Sequence, residues 1–361
     1  VNDALAETRI SLLAPLKQPS KKRILEIDIL RAIAILLVVL YHIPHATVAD
    51  VSPALGLQAS PVDILGTVGL SMFFFVSGLS LYLNDKSINN KRDALSFYKK
   101  RAVRIYPLYW LFVVGIVIVH MPTLGQTIIY ITGLQALFYP IFISVPIYHF
   151  ISAILIFYLL FPLIVFFDSY KKMLLVSLIP LLFFAAILLL FGLSDTMFMA
   201  YYGVFIGGII AGKLNVYGQM RHVKSKRFFV LTLALSLALL SLWPIVSDLP
   251  SSFVSSVFLG YFFYTAVVLV IMFWAMLYVE VFKTKFYAFF TFVAFSTYGV
   301  FLLNTPFYTW LGASLNTKFH TSGTVTDVIC VALIPLLVIA GYLLQLIANE
   351  IVKFPKARQS Q

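Results

Sequence analysis

Charge is scarce in this chain: 11% of its 361 residues are Asp, Glu, Lys or Arg, while 61% are hydrophobic. An average soluble domain carries roughly 25% charged residues. A water-soluble fold of this length is therefore excluded for want of polar surface. Cysteine is almost absent. Cys330, the only one, permits no intramolecular disulfide and reads as core filling in an apolar run. The 6 histidines show no metal-ligand spacing, so no metal is expected. No fixed-period repeat, low-complexity tract or pair of inverted halves is visible. Acidic residues are the rarer sign, 14 against 26 basic ones, giving a net charge of +12.

What the sequence has in abundance is continuous apolar runs, which in lipid must be helices because the backbone has to satisfy itself. They predict an all-α, polytopic membrane bundle of about ten spans. The spans are expected near Ile24–Ile43, Ile64–Leu83, Ile105–Val119, Tyr148–Phe167, Met173–Phe191, Met197–Gly212, Phe228–Val246, Ser256–Tyr278, Tyr287–Leu311 and Thr326–Val352. Ile128–Ile143 is apolar too, but Gly133 and Pro140 interrupt it, which suits a re-entrant or interfacial piece. The first run reads as a retained helix. The chain thus divides into a tail over 1–23, one membrane unit over 24–352 and a tail over 353–361. With the N-terminus placed in the cytoplasm, every Lys and Arg except Arg31 and Lys318 falls in or beside an inside segment. That asymmetry is what the positive-inside rule requires. It predicts a multi-pass protein of the cell membrane with both termini cytoplasmic. Split among six short segments, the basic residues argue against a nucleic-acid partner and for some attraction to anionic headgroups of the lipid bilayer.

Ionisable groups inside a span are expensive and by default functional. Asp28, Arg31 and His42 share the first span or its edge. Arg31 and His42 are eleven residues apart, which places them on one helix face about 16 Å apart along the axis. Asp28, three residues before Arg31, falls on nearly the same face. Two readings stand side by side. In one, Arg31 snorkels to the interface and pairs with Asp28, and His42 is an interfacial residue. In the other, His42 is a general base that takes the proton of a hydroxyl acceptor, and Arg31 holds or orients a long donor with a charged end. The second is acyl-transfer chemistry. A secondary transporter or flippase is the alternative class, since it too uses intramembrane charge, although it would spread that charge over several helices.

The run from Ile27-Asp28-Ile29-Leu30-Arg31-Ala32 to His42 resembles the first helix of acyltransferase family 3. Leu70-Ser71-Met72-Phe73-Phe74-Phe75-Val76-Ser77-Gly78 is similar to that family's second-helix signature. Phe97-Tyr98-Lys99-Lys100-Arg101-Ala102-Val103-Arg104-Ile105-Tyr106-Pro107-Leu108-Tyr109 is similar to its arginine-rich start of the third helix. Later, Phe157-Tyr158 to Pro162 and Ser296-Thr297-Tyr298 to Pro306 also resemble it, with His149 where an aromatic is usual and Asn304 where a histidine is common. The resemblance implies a bundle of about ten helices that moves an acyl group, acetyl first, from cytoplasmic acyl-CoA. It implies a hydroxyl-bearing acceptor, a carbohydrate first. It also implies that His42 and Arg31 are the catalytic pair, with Asp28 beside them, and that Arg101 and Arg104 belong to the donor site.

Read physically, Lys99, Lys100, Arg101 and Arg104 crowd positive charge before an expected helix start, where coenzyme A phosphates could be held. The competing reading is topogenic, because basic residues flank most inside ends. Tyr106 and Tyr109 suit either an interfacial belt or the donor. Ser71, Ser77 and Gly78 are expected to let the first and second helices pack closely.

Overall fold

The computed structural model describes residues 24–43, 61–138, 149–192, 196–221, 226–241, 265–272, 274–276 and 286–357. Its helices are α1 Leu25–Tyr41, α2 Pro61–Asp85, α3 Lys91–His120, α4 Leu124–Thr132, α5 His149–Val165, α6 Tyr170–Phe191, α7 Thr196–Lys213, α8 Val216–Arg221, α9 Lys226–Ser241, α10 Tyr287–Lys318, α11 Gly323–Ala332 and α12 Ile334–Ala357. A 3₁₀ turn, Gln135–Phe138, follows α4. There is no strand among the described residues. The protein is an all-α membrane bundle, and among the described residues 5 helices are long and apolar enough to cross a bilayer by themselves.

Three of the expected spans change on folding. The third starts at Lys91, well before Ile105, because Asn90 caps it: its side chain accepts from the Asp93 amide at 2.9 Å. The basic segment is therefore helix, and Arg101 and Arg104 lie far beyond its first turn, where the helix dipole no longer favours anions. The last span is broken after Leu333 into α11 and α12. Pro335 has no N–H to continue the ladder and is tolerated only in a first turn. The ninth runs on to Lys318. The interrupted piece becomes α4, of 9 residues, and its 3₁₀ turn, too short to span. The expected spans over Phe228–Val246 and Ser256–Tyr278 lie partly outside the described residues.

Hydropathy and burial run opposite to a soluble protein. The most apolar helix, α6, has mean hydropathy 3.0 and only 22% of its span buried, whereas α2, at 1.6, is 83% buried. Outward apolar surface costs nothing in lipid, so the less apolar helix can occupy the centre. Helix α2 packs between α1 and α7, α1 touches α10, α10 touches α12, α12 touches α3, and α5 bridges α3 to α7. These contacts close a ring.

Small residues set the closest approaches. A Cβ at Gly78 would fall on the Phe205 carbonyl oxygen, and one at Gly208 on that of Phe75, so α2 and α7 touch backbone to backbone. Gly78 thus packs on α7 rather than on α1, contrary to the sequence reading. The α1–α2 contact is made at Gly69, against Ala34 and Val38. Ser71 donates to the Thr67 carbonyl in its own helix. Gly208→Leu is expected to destabilise the fold by at least about 1–3 kcal/mol, since backbone cannot yield. Gly115→Ala meets open space and should instead stabilise α3 by roughly 1 kcal/mol. Thermal melts in detergent check both; equal behaviour of the two variants would overturn the packing argument.

Candidate functional site

Inside the ring lies a cavity of about 260 Å³ lined from α1, α2, α3, α5, α10 and α12. Three guanidinium groups meet in it: Arg31 from α1, and Arg101 and Arg104 from α3. Arg31 donates from Nη2 to Ser80 Oγ at 3.0 Å and stands 4.0 Å from Asp28, which is buried behind it. Arg101 forms an ion pair with Asp85, lies 5.2 Å from the Phe97 ring centre and 5.9 Å from that of Tyr158. Arg104 is within electrostatic reach of both other arginines and lines the same cavity. It has no carboxylate partner among the described residues. No described lining residue is acidic. Three guanidinium groups with two carboxylates behind them leave the cavity a positive lining, which suits an anionic guest.

The cavity has two ends. Asn84, Arg101 and Gln345 mark the polar one, while Phe73, Phe150 and Phe301 mark the other. The Phe150 ring stands 4.5 Å from Phe301 and 5.7 Å from Phe73, closing that end with aromatic faces. Helices α1 and α2 are antiparallel, as Gly66 against Tyr41 and Gly69 against Ala34 show. The chain from Arg31 to His42 therefore leads past the aromatic end.

His42 caps the C-terminal end of α1, half-buried and outside the cavity lining. Its Nδ1 lies 2.7 Å from the Val38 carbonyl oxygen. A carbonyl can only accept, so Nδ1 carries a hydrogen, and in the neutral ring the lone pair is then on Nε2. The Tyr41 ring meets the imidazole edge-on at 4.9 Å.

A family model described as an acyltransferase domain matches residues 24–344, from the start of α1 to the middle of α12. The chain belongs to acyltransferase family 3. No curated protein and no solved structure matches it. The family decides between the two classes the charged stripe left open: the protein is a membrane acyltransferase, moving groups other than aminoacyl.

In this acyltransferase the four cations of the basic segment part company. Arg101 and Arg104, three apart on α3, turn into the cavity. Lys99 and Lys100 are exposed outside it, Lys100 standing 4.0 Å from Asp85. Tyr106 and Tyr109 face α4. With Trp110 they donate to the Thr132, Tyr130 and Ile131 carbonyls at 2.9, 2.7 and 3.0 Å. Those groups are the orphan acceptors at the end of α4.

Several lining residues carry no charge and escaped the sequence reading. Ser77, Ser80 and Asn84 form an i, i+3, i+7 polar stripe on α2, a signal that was present. Tyr158 and Tyr298 lie in segments matched to the family but had no role. Tyr298 also ties α10 to α3, donating to the Ile105 carbonyl at 3.0 Å. Gln345 follows the last residue of the family match and carried no signal. Away from the cavity, Lys213 donates to Asp168 at 2.6 Å and holds that exposed carboxyl below its usual range. Such a pair adds little to stability.

Proposed function

We propose that this membrane acyltransferase takes an acyl group, acetyl first, from acyl-CoA and places it on a hydroxyl, with a carbohydrate as the first candidate acceptor. The observation that carries the reading is the meeting of Arg31, Arg101 and Arg104 in one cavity without a lining carboxylate. Coenzyme A presents a pyrophosphate and a 3′-phosphate, and guanidinium is the side chain suited to grip phosphate in a fork. Asp28 and Asp85 hold two of the arginines from behind. The phosphates dock there and the acyl-bearing arm runs past the aromatic end towards His42, about 16 Å along α1 from Arg31.

At His42 the Nε2 lone pair takes the acceptor's hydroxyl proton as its oxygen attacks the thioester carbon. The C–S bond then breaks, and the departing thiolate receives that proton from the imidazolium. The net change is one ester formed and one thiol released, with no other reactant. The basic ends of the helices face the cytoplasm of the cell membrane, where acyl-CoA is made, and both termini share that side. Sealed vesicles of defined orientation test the whole reading. Radiolabelled acetyl-CoA should label a membrane glycan or added sugar when supplied to the basic face, and not when supplied to the other. Transfer from neither face, or from the opposite face alone, would sink it.

A further inference from the structure

Helix α10 carries its inward stripe beyond the cavity. Phe301 closes the aromatic end, and Asn304, one turn further on, lies on the same face. Asn304 is 1% exposed. Its Oδ1 accepts from Thr305 Oγ1 at 2.7 Å, but its Nδ2 has no hydrogen-bond partner. A buried donor left unmade is costly. Pro306, two residues on, adds to the deficit, because it supplies no N–H to the Leu302 carbonyl. A polar spot short of partners thus sits in the apolar stretch between the arginine cavity and the level of His42. The group it lacks is an acceptor, since the amide oxygen is already engaged.

We propose that Asn304 Nδ2 docks an amide carbonyl of the donor's pantetheine arm. The inference rests on the acyl-CoA reading above. Asn304 lies about 9 Å beyond Tyr298 along α10, within the length of the arm and short of its sulfur-bearing end. An arm threading this stretch must bury its own amides, and each buried carbonyl needs a donor. The Phe150 and Phe301 rings, in contact across the closed end, swing aside as the arm enters. Asn304 is therefore a positioning residue for the donor and leaves the proton transfer to His42.

The full-length protein in detergent can be tested with two ligands, coenzyme A and adenosine 3′,5′-bisphosphate, which lacks the arm. Asn304→Leu should weaken coenzyme A binding by about 3- to 10-fold, the range for one neutral hydrogen bond. Binding of the bisphosphate should stay as in wild type. The melting temperature without ligand should be no lower than wild type, because the substitution removes an unmet donor. Asn304→His, which keeps an N–H donor, should recover part of the loss. Equal loss of both ligands, a drop in melting temperature, or undiminished coenzyme A binding each overturns the proposal. If wild type binds neither ligand, the acyl-CoA reading itself fails. If it binds both and Asn304→Leu behaves identically, only the role of Asn304 does.

Discussion

His42→Ala is expected to lower acyl transfer by about 10²–10⁴, the usual worth of a general base, while coenzyme A still binds. The two halves of that outcome have separate causes. In the proposed mechanism the imidazole takes the acceptor's proton, so its removal would leave the hydroxyl a poor nucleophile. The arginine cavity lies about 16 Å away along α1 and does not include His42 in its lining. Nor should the bundle suffer much. His42 stands at the end of its helix, with Nδ1 2.7 Å from a carbonyl of the preceding turn and its ring edge-on to Tyr41. Single-turnover transfer and an independent binding titration on the same preparation measure both. An acyl-histidine route would give the same loss, since it also needs this nitrogen. Turnover within about threefold of wild type, well inside the range quoted, would make His42 an interfacial residue.

The features legible in the sequence were those that local geometry fixes. The shared face of Asp28, Arg31 and His42 follows from helix periodicity; Asp28 and Arg31 meet in α1 as expected, and His42 follows the last residue of that helix. The membrane bundle followed from the apolar runs. Misjudged ends had readable causes. Asn90 and Asp93 form a capping signal at the start of α3, but the basic run after them looked like a loop. Pro335 marked the break between α11 and α12 and was passed over inside an apolar run. The site itself was legible only in pieces. That Arg31 shares a cavity with Arg101 and Arg104 depends on which helices touch. The touching surfaces are set by residues such as Gly78 and Gly208, which look alike whichever neighbour they meet. Gln345, an uncharged liner beyond the polar stripe of α2, carries no sign that separates it from a packing residue. Phe150 and Phe301 were indistinguishable from other aromatics in an aromatic-rich chain until their rings were found to meet.

The arginines differ as probes of the donor site, and Arg104 is the most informative of the three. Removing Arg101 would leave Asp85, its side chain 16% exposed, without its closest cation. Any weakening of donor binding would then mix lost attraction with new repulsion. Removing Arg31 would break its bond to Ser80 and uncover the buried Asp28. Arg104 holds no carboxylate among the described residues, so its removal orphans no charge and relieves repulsion from Arg31 and Arg101. Arg104→Ala is accordingly expected to raise the apparent KM for acyl-CoA by roughly 10- to 100-fold, the range for a hydrogen bond to a charged group. The melting temperature without ligand should hold or rise. Lys at the same position should recover only part of the affinity, because a point charge lacks the fork that matches phosphate. The effect should shrink as salt is raised, by less than for an exposed pair, since the cavity is partly shielded. For comparison, Lys99→Ala should leave the KM within about twofold, as an exposed cation outside the cavity is screened by water and salt. An Arg104→Ala enzyme that folds normally and keeps the wild-type dependence on acyl-CoA would return the basic stretch of α3 to a purely topogenic role. The donor would then have to enter elsewhere in the ring.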